Sequence, residues 1–163
     1  MAELLHVRVD ERLIHGVVMA TWVPSLGVNK IVAVDDETAA DDFISMIMKS
    51  CTNGIPAEIY SLEQAAGEWK KDRFGEKKTL LLFKRVSDAL KAYELGISYH
   101  VLQLGWLNPG NDRIRITTKM CLTKNEIEAL KDFENRNQVK IELQYSPDEV
   151  PLNLNKAIEG KIK

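Results

Sequence analysis

The chain has 163 residues, of which 45% are hydrophobic and 28% charged, the balance of a folded domain rather than a disordered or fibrous segment. A formal charge of -2 gives none of the basic footprint that nucleic-acid binding needs, and the spots Lys70-Lys71 and Lys77-Lys78 are short and mixed with acids. No basic-then-apolar leader appears, and no apolar run approaches the roughly 20 residues of a membrane span, so the reading is one cytoplasmic domain over residues 1–163.

In chain order, strand-like apolar runs alternate with helical patterns. This predicts an α/β fold, an open twisted, mainly parallel sheet with helices on both faces. Leu4–Val9 reads as the first strand and Ile14–Val23 as the first helix, closed by Pro24 and Gly27. Lys30–Val34 is the second strand, its Ile-Val-Ala-Val content suiting burial on both faces. Asp35-Asp36-Glu37-Thr38 supplies acids and a cap for a helix from about Ala39 to Ser50, with Phe43, Ile44, Ile47 and Met48 on one face. Ala57–Ser61 is the third strand and Leu62–Trp69 a short helix, and the charged stretch from Asp72 to Lys78 is a simple connection.

Thr79–Phe83 is the fourth and most apolar strand, and Val86–Leu95 a helix ending at Gly96. Tyr99–Leu104 is the fifth, followed by a turn-rich loop from Gly105 to Gly110. Alternation in Ile114, Ile116 and Thr118 suggests a short strand over Ile114–Met120, and the capping-box spacing of Thr123 and Glu126 opens a helix to about Asn135. Val139–Tyr145 is the last strand, and the amphipathic piece Leu152–Ile158 reads either as a terminal helix or as a mobile tail. Cys51 and Cys121, without CxxC spacing, are expected to be buried thiols. His6, His15 and His100 are scattered outside any ligand-spacing motif, so no metal is expected.

The chemistry-bearing stretch is Val9-Asp10-Glu11-Arg12-Leu13-Ile14-His15-Gly16-Val17-Val18. A strand stops at the charged triplet and a helical pattern starts directly beyond it, which puts His15 at a strand-to-helix turn. An imidazole accepts a phosphoryl group without a metal to activate it. Arg12 is placed to pair with a phosphate, and Gly16 lets one approach the free N–H groups of the opening helical turn. Asp10 is placed to hold one ring nitrogen as a donor and leave the other to attack. By chemistry alone the other reading stays open, with His15 an ordinary residue of a first helical turn and Arg12 a solvated charge.

In a parallel sheet the C-terminal strand ends share one edge, so His15, Asp35-Asp36, Lys84-Arg85 and Gly105-Trp106 should gather on one rim. There Asp35 and Asp36 either cap the next helix or orient Arg12 or meet a partner, and Lys84 and Arg85 are solvated charges or steer a phosphorylated partner. Gly105 offers backbone N–H groups to the phosphate. His6 and His100 have no role in this reading.

The run from Asp10 to Gly16, followed by Thr21-Trp22 and by Val32-Ala33-Val34-Asp35-Asp36-Glu37, resembles the opening of the enzyme IIB subunits of the mannose/fructose/sorbose family of the bacterial sugar phosphotransferase system (PTS). The likeness extends over most of the chain and is strongest up to about Asp42. It implies that His15 is the phosphorylated residue, through Nδ1, that Arg12 supports the phosphate, and that the activity is that of a protein-N(pi)-phosphohistidine–sugar phosphotransferase. A IIA phosphoprotein would donate to His15, which passes the group to a sugar carried by membrane IIC and IID subunits, with no cofactor, metal or nucleic acid. The protein would be peripheral to that membrane complex.

The chain departs from the family at Trp106, where a second glycine is usual, and at Val17, where many members carry glutamine. The first departure puts the role of the Gly105 loop in question. The sugar stays open among sorbose, mannose, fructose and amino sugars, with a lean toward an N-acetylated hexosamine. The competing classes are a receiver-like module phosphorylated with Mg²⁺ on Asp35 or Asp36, a nucleotide-binding domain that lacks its glycine-rich turn, and a non-catalytic regulatory domain.

Overall fold

Thr79–Phe83 explains the layering. All five of its residues are buried, Leu80 and Leu82 in one apolar cluster and Leu81 and Phe83 in another. A strand apolar on both faces requires cover on both. The structure, a computed structural model, describes residues 5–161. Its strands in chain order are β1 (Leu5–Asp10), β2 (Lys30–Val34), β3 (Ala57–Tyr60), β4 (Thr79–Phe83), β5 (Val101–Trp106), β6 (Arg113–Thr117), β7 (Met120–Thr123), β8 (Lys140–Leu143) and β9 (Leu152–Asn153).

One sheet has the order β3-β2-β4-β1-β5-β8-β9, parallel throughout except where β9 runs antiparallel to β8. β6 and β7 form a separate antiparallel hairpin. The helices are α1 (residues 16–26), α2 (Asp36–Ala40), α3 (Asp42–Ser50), α4 (Leu62–Asp72), α5 (Val86–Glu94), α6 (Lys124–Asn137) and α7 (Leu154–Ile158). Val18, Met19, Trp22 and Val23 of α1 cover one sheet face, while Ala65, Ala89, Leu130 and Phe133 of α4, α5 and α6 cover the other. The predicted α/β architecture is therefore the observed one, and β1 lies between β4 and β5, where the order of strands reverses.

Several local expectations are corrected. The expected strand start at Leu4 lies outside the described residues. Leu13 adopts φ 56 and donates its N–H to the Asp10 carbonyl at 2.9 Å, closing a turn that delays α1 until residue 16. α1 also passes Pro24 instead of stopping there. Val18–Trp22 is a π turn, in which the Thr21 hydroxyl donates to the Val17 carbonyl at 2.6 Å, and this widening accommodates a proline that lacks an N–H. Gly27, at φ 64, ends the helix.

The helix expected over Ala39–Ser50 is two helices. Asp41 leaves the helical region and its carboxylate accepts from Ile44 N, capping α3. Phe43, Ile44, Met46 and Ile47 of α3 are exposed and only Met48 packs against the core, so the predicted apolar face is largely solvated. Trp106 belongs to β5 and not to a loop, and the Ile114–Met120 strand is in fact the β6–β7 hairpin. The tail packs, with Leu154, Ala157 and Ile158 buried. Cys121 is buried as expected but Cys51 is exposed. Phe74, in the expected simple connection, is buried against Trp69, with ring centroids 5.4 Å apart.

Candidate phosphotransfer site

The site begins with the pleat of β1. Val7 and Val9 point into the core beneath α5 and α6, so Arg8 and Asp10 emerge on the other face, under α1. Asp10 is the last residue of the strand and its side chain has no solvent exposure. The tight turn at Leu13 then folds the chain back over it. As a result four nitrogens from the next five residues meet the Asp10 carboxylate. Its Oδ1 accepts from Arg12 N at 3.0 Å and Arg12 Nε at 3.0 Å, and its Oδ2 accepts from Arg12 NH2 at 2.9 Å. His15 Nε2 lies 3.1 Å from the same Oδ2.

Burial alone would push the Asp10 carboxyl upward. The hydrogen bonds from His15 and Arg12 outweigh that and hold it below the usual carboxylate range. Burial likewise opposes the charge on Arg12, and Asp10 more than restores it. The site is thus a buried anion bridging a guanidinium and an imidazole. With Nε2 turned to Asp10, Nδ1 is the ring nitrogen outside that contact, and the His15 side chain is 16% exposed. Arg12 is engaged with Asp10 through Nε and NH2, so NH1 lies outside that pair.

Met19 N makes the first helical bond back, to the His15 carbonyl at 3.1 Å, so the N–H groups of Gly16, Val17 and Val18 precede the helical ladder. Gly16 is exposed, and a Cβ there would meet nothing within 4 Å, so the approach to this turn is open. Val17 offers no polar side chain, its carbonyl being taken by Thr21.

Trp106 stacks on Arg12, whose Cζ is 4.6 Å from the indole centroid and 5.7 Å from the Tyr145 ring. Lys119 Nζ lies over the same two rings, at 5.5 and 4.6 Å. The Trp106 indole N–H donates to Asn108 Oδ1 at 2.8 Å. Glu11 ties that loop to the turn, accepting from Asn108 N at 3.1 Å and from the side chains of Asn108 and Arg113.

The other expected site residues fall as follows. Asp35 is buried as the cap of α2, accepting from Thr38 N at 3.0 Å and Thr38 Oγ1 at 2.7 Å. Its cationic neighbours are Lys84 and Arg85, each 3.9 Å away, and the carboxylate on Arg12 is that of Asp10. Asp36 accepts from Leu62 N at 2.8 Å and so joins α2 to the start of α4. Lys84 and Arg85 do reach the shared rim, lining a groove with Glu11, Leu107 and Arg113. Gly105 is buried, and a Cβ there would lie 2.0 Å from Arg8 Cζ. Its bare backbone therefore gives that guanidinium its room.

Arg8, Glu11, Lys119 and Tyr145 are the neighbours that the sequence reading missed. Arg8 had a signal, since a charge two residues before Asp10 in a central strand must share its face. His6 also belongs here, bonded to Gln103 at 3.2 Å and stacked on Trp22 at 5.7 Å. Burial holds its ring below the ordinary histidine value. Among the described residues no group of three His, Cys, Asp or Glu side chains is placed to hold a metal ion, and no helix is long and apolar enough to cross a membrane.

Comparison with known proteins places the chain in a family. A family model for the PTS system sorbose subfamily IIB component matches residues 4–163. The fructose-specific EIIB component of the PTS from Bacillus subtilis is 25% identical over 150 residues, 91% of each chain. The N-acetylgalactosamine-specific phosphotransferase enzyme IIB component 2 from Escherichia coli is 27% identical over 161 residues, 97% of this chain and 100% of that one. The crystal structure of manxB from Thermoanaerobacter tengcongensis superposes with a TM-score of 0.89 at 26% identity, covering 99% of this chain and 100% of the other. The chain belongs to the sorbose subfamily of PTS IIB components, the phosphotransferase subunits of mannose/fructose/sorbose-type sugar-transport systems.

Proposed function

We propose that His15 is the phosphocarrier, taking a phosphoryl group from a IIA phosphohistidine and passing it to a sugar held by membrane IIC and IID subunits. The observation that carries this reading is the 3.1 Å contact between His15 Nε2 and the buried Asp10 carboxylate. A carboxylate in that place holds the tautomer with the proton on Nε2 and leaves the lone pair on Nδ1. In the first transfer that lone pair forms the N–P bond while the donor's P–N bond breaks and its electron pair returns to the donor ring. In the second, a sugar hydroxyl attacks phosphorus while its proton passes to a base of the membrane subunit that holds the sugar, and the Nδ1–P electron pair returns to His15, which leaves as a neutral imidazole still protonated on Nε2.

The remaining groups position and neutralise, which is most of what phosphoryl transfer asks of a protein. The free edge of Arg12 and the N–H groups ahead of α1 face the equatorial oxygens, whose charge they stabilise as it redistributes. Asp35 is occupied as a cap, which speaks against the receiver-like alternative. Relatives named for fructose, mannose, sorbose and N-acetylgalactosamine all resemble the chain, so their names select no single sugar. The test is phosphorylation from phosphoenolpyruvate through the general PTS proteins and a cognate IIA. An acid-labile, alkali-stable label that vanishes in His15→Ala supports the reading, and one that survives the substitution refutes it.

A further inference from the structure

Arg8 is a charged residue with 0% exposure in the middle of a central strand. Such a group is expensive to bury and is retained only where its partners compensate. Its NH1 donates to Gln103 Oε1 at 2.6 Å and to the Gln144 carbonyl at 2.7 Å, and its NH2 donates to the Tyr145 carbonyl at 2.9 Å. Cζ lies 4.7 Å from the Trp22 ring, and Nε has no partner among the described residues. Burial lowers its pKa to about 10, so the guanidinium stays charged at neutral pH. NH2 is also 3.7 Å from Asp10 Oδ2, the atom that holds His15.

The sheet is adapted to admit this group. The register of β1 on β5 shifts between Val9 and Asp10, which pair with Leu104 and Trp106, so Gly105 is the bulged residue, and any side chain on it would overlap the guanidinium.

We propose that Arg8 is a positioning residue for phosphotransfer at His15: its fixed buried charge offsets Asp10, so that this carboxylate holds the Nε2 proton without drawing a second proton onto Nδ1. A lone carboxylate beside an imidazole favours the imidazolium, which has no lone pair for phosphorus. Arg12 also offsets Asp10, but it is 27% exposed and is the group an incoming phosphate would engage. Arg8, tied by three hydrogen bonds to β5 and to the chain after β8, cannot follow the phosphate and keeps the balance constant through both transfers. The charged or titratable groups around it are His6 and Asp10 on β1, Arg12 and His15 beyond it, and Tyr145 and Glu149 after β8. Gln103 of β5 and Trp22 of α1 are neutral.

The inference rests on His15 being the phosphocarrier, and the experiment separates the two. The initial rate of phosphorylation by phospho-IIA is followed against pH for the wild type, Arg8→Met and Arg8→Lys, with His15→Ala as the control. Arg8 NH2 and His15 Nε2 share Asp10 Oδ2 and so lie within about 7 Å of each other. Loss of a charge at that distance should move the acid limb of the Arg8→Met profile to higher pH by about one unit. Arg8→Lys should return the limb toward the wild type even though it loses the fork and some stability. An Arg8→Met profile that superimposes on the wild type after scaling overturns the inference and leaves Arg8 structural. Label remaining in His15→Ala overturns the underlying reading instead. Should Arg8→Met fail to fold, the wild type decides through the ¹⁵N shifts of the His15 ring. The proton on Nε2 and a free Nδ1 lone pair at the pH of fastest transfer are expected, and a doubly protonated ring there overturns the inference.

Discussion

Gly105→Ala adds one methyl group at a place where the structure has no room for it. The new Cβ would stand 2.0 Å from Arg8 Cζ, 2.1 Å from NH2 and 2.5 Å from Nε. Carbon atoms rest at about 3.5–4.0 Å, so the guanidinium or the strand must retreat by roughly 1.5–2 Å. Hydrogen bonds of 2.6, 2.7 and 2.9 Å do not survive such a shift together. Each involves a charged donor and contributes about 1.5–3 kcal/mol, while overpacking alone costs about 1–3 kcal/mol. With partial relaxation, a net loss of about 3–5 kcal/mol follows. In a chain of this length that lowers the melting temperature by roughly 10 °C.

Urea titration should show a lower midpoint with an unchanged slope. Adding Arg8→Met should then destabilise less than the two single changes summed, by about 1–3 kcal/mol, because the second change removes what the methyl collides with. If Gly105→Ala unfolds within about 0.5 kcal/mol of the wild type, the steric reasoning about Arg8 is wrong.

Other perturbations test separate parts of the structure. Asp10→Asn should slow phosphorylation of His15 by about 10²–10⁴, the range expected when a histidine loses its orienting carboxylate, as read in a rapid-quench assay. Because hydrogen bonds hold the Asp10 carboxyl below its ordinary value, its stabilisation is present above about pH 4 and is lost as pH falls through the lowered folded value. The stability gap between wild type and Asp10→Asn should therefore close on acidification, and a constant gap in urea titrations at several pH values would contradict this. Thr123→Ala removes one half of a complete capping box, in which Thr123 Oγ1 accepts from Glu126 N at 3.0 Å and Glu126 accepts from Thr123 N at 2.8 Å. Calorimetry should show a loss of about 0.5–2 kcal/mol. Tyr99→Phe removes the 2.7 Å hydrogen bond to the Ala89 carbonyl and should cost about 1 kcal/mol, and in the wild type burial pushes this hydroxyl up, so it should stay silent in an alkaline absorbance titration until unfolding. Phe43→Ser and Met46→Ser, on the exposed face of α3, should each change stability by no more than about 0.5 kcal/mol.

The site unites parts of the chain that are distant in sequence. Arg12 rests on Trp106 and Tyr145, Glu11 on Asn108 and Arg113, and Arg8 on Gln103 and the chain after β8. The turn that carries His15 is thus held by β5 and by the chain that follows β5 and β8. Trp106 supplies an aromatic platform for Arg12 and binds the loop through Asn108.

The amino-acid sequence by itself determined the alternation of elements, because apolar runs and their turn residues are local signals. β4 was readable to the residue from Thr79–Phe83, and α6 from its capping box. The turn that carries His15 was equally local, since Asp10, Arg12 and His15 lie within six residues and their contacts form as soon as the chain folds back at Leu13. Tertiary structure decided what depends on partners far along the chain. The periodicity of α3 is that of a buried face, yet the sheet ends at β3 and leaves most of that face uncovered. Asp35 carries the chemistry of a cap and of a site residue alike, and only its bonds to Thr38 distinguish them. Arg8 looks like an interruption of an apolar strand until β5, β8 and α1 surround it. Sequence specifies which groups are present and their local spacing, whereas the burial that changes what a charge does is a property of the assembled layers.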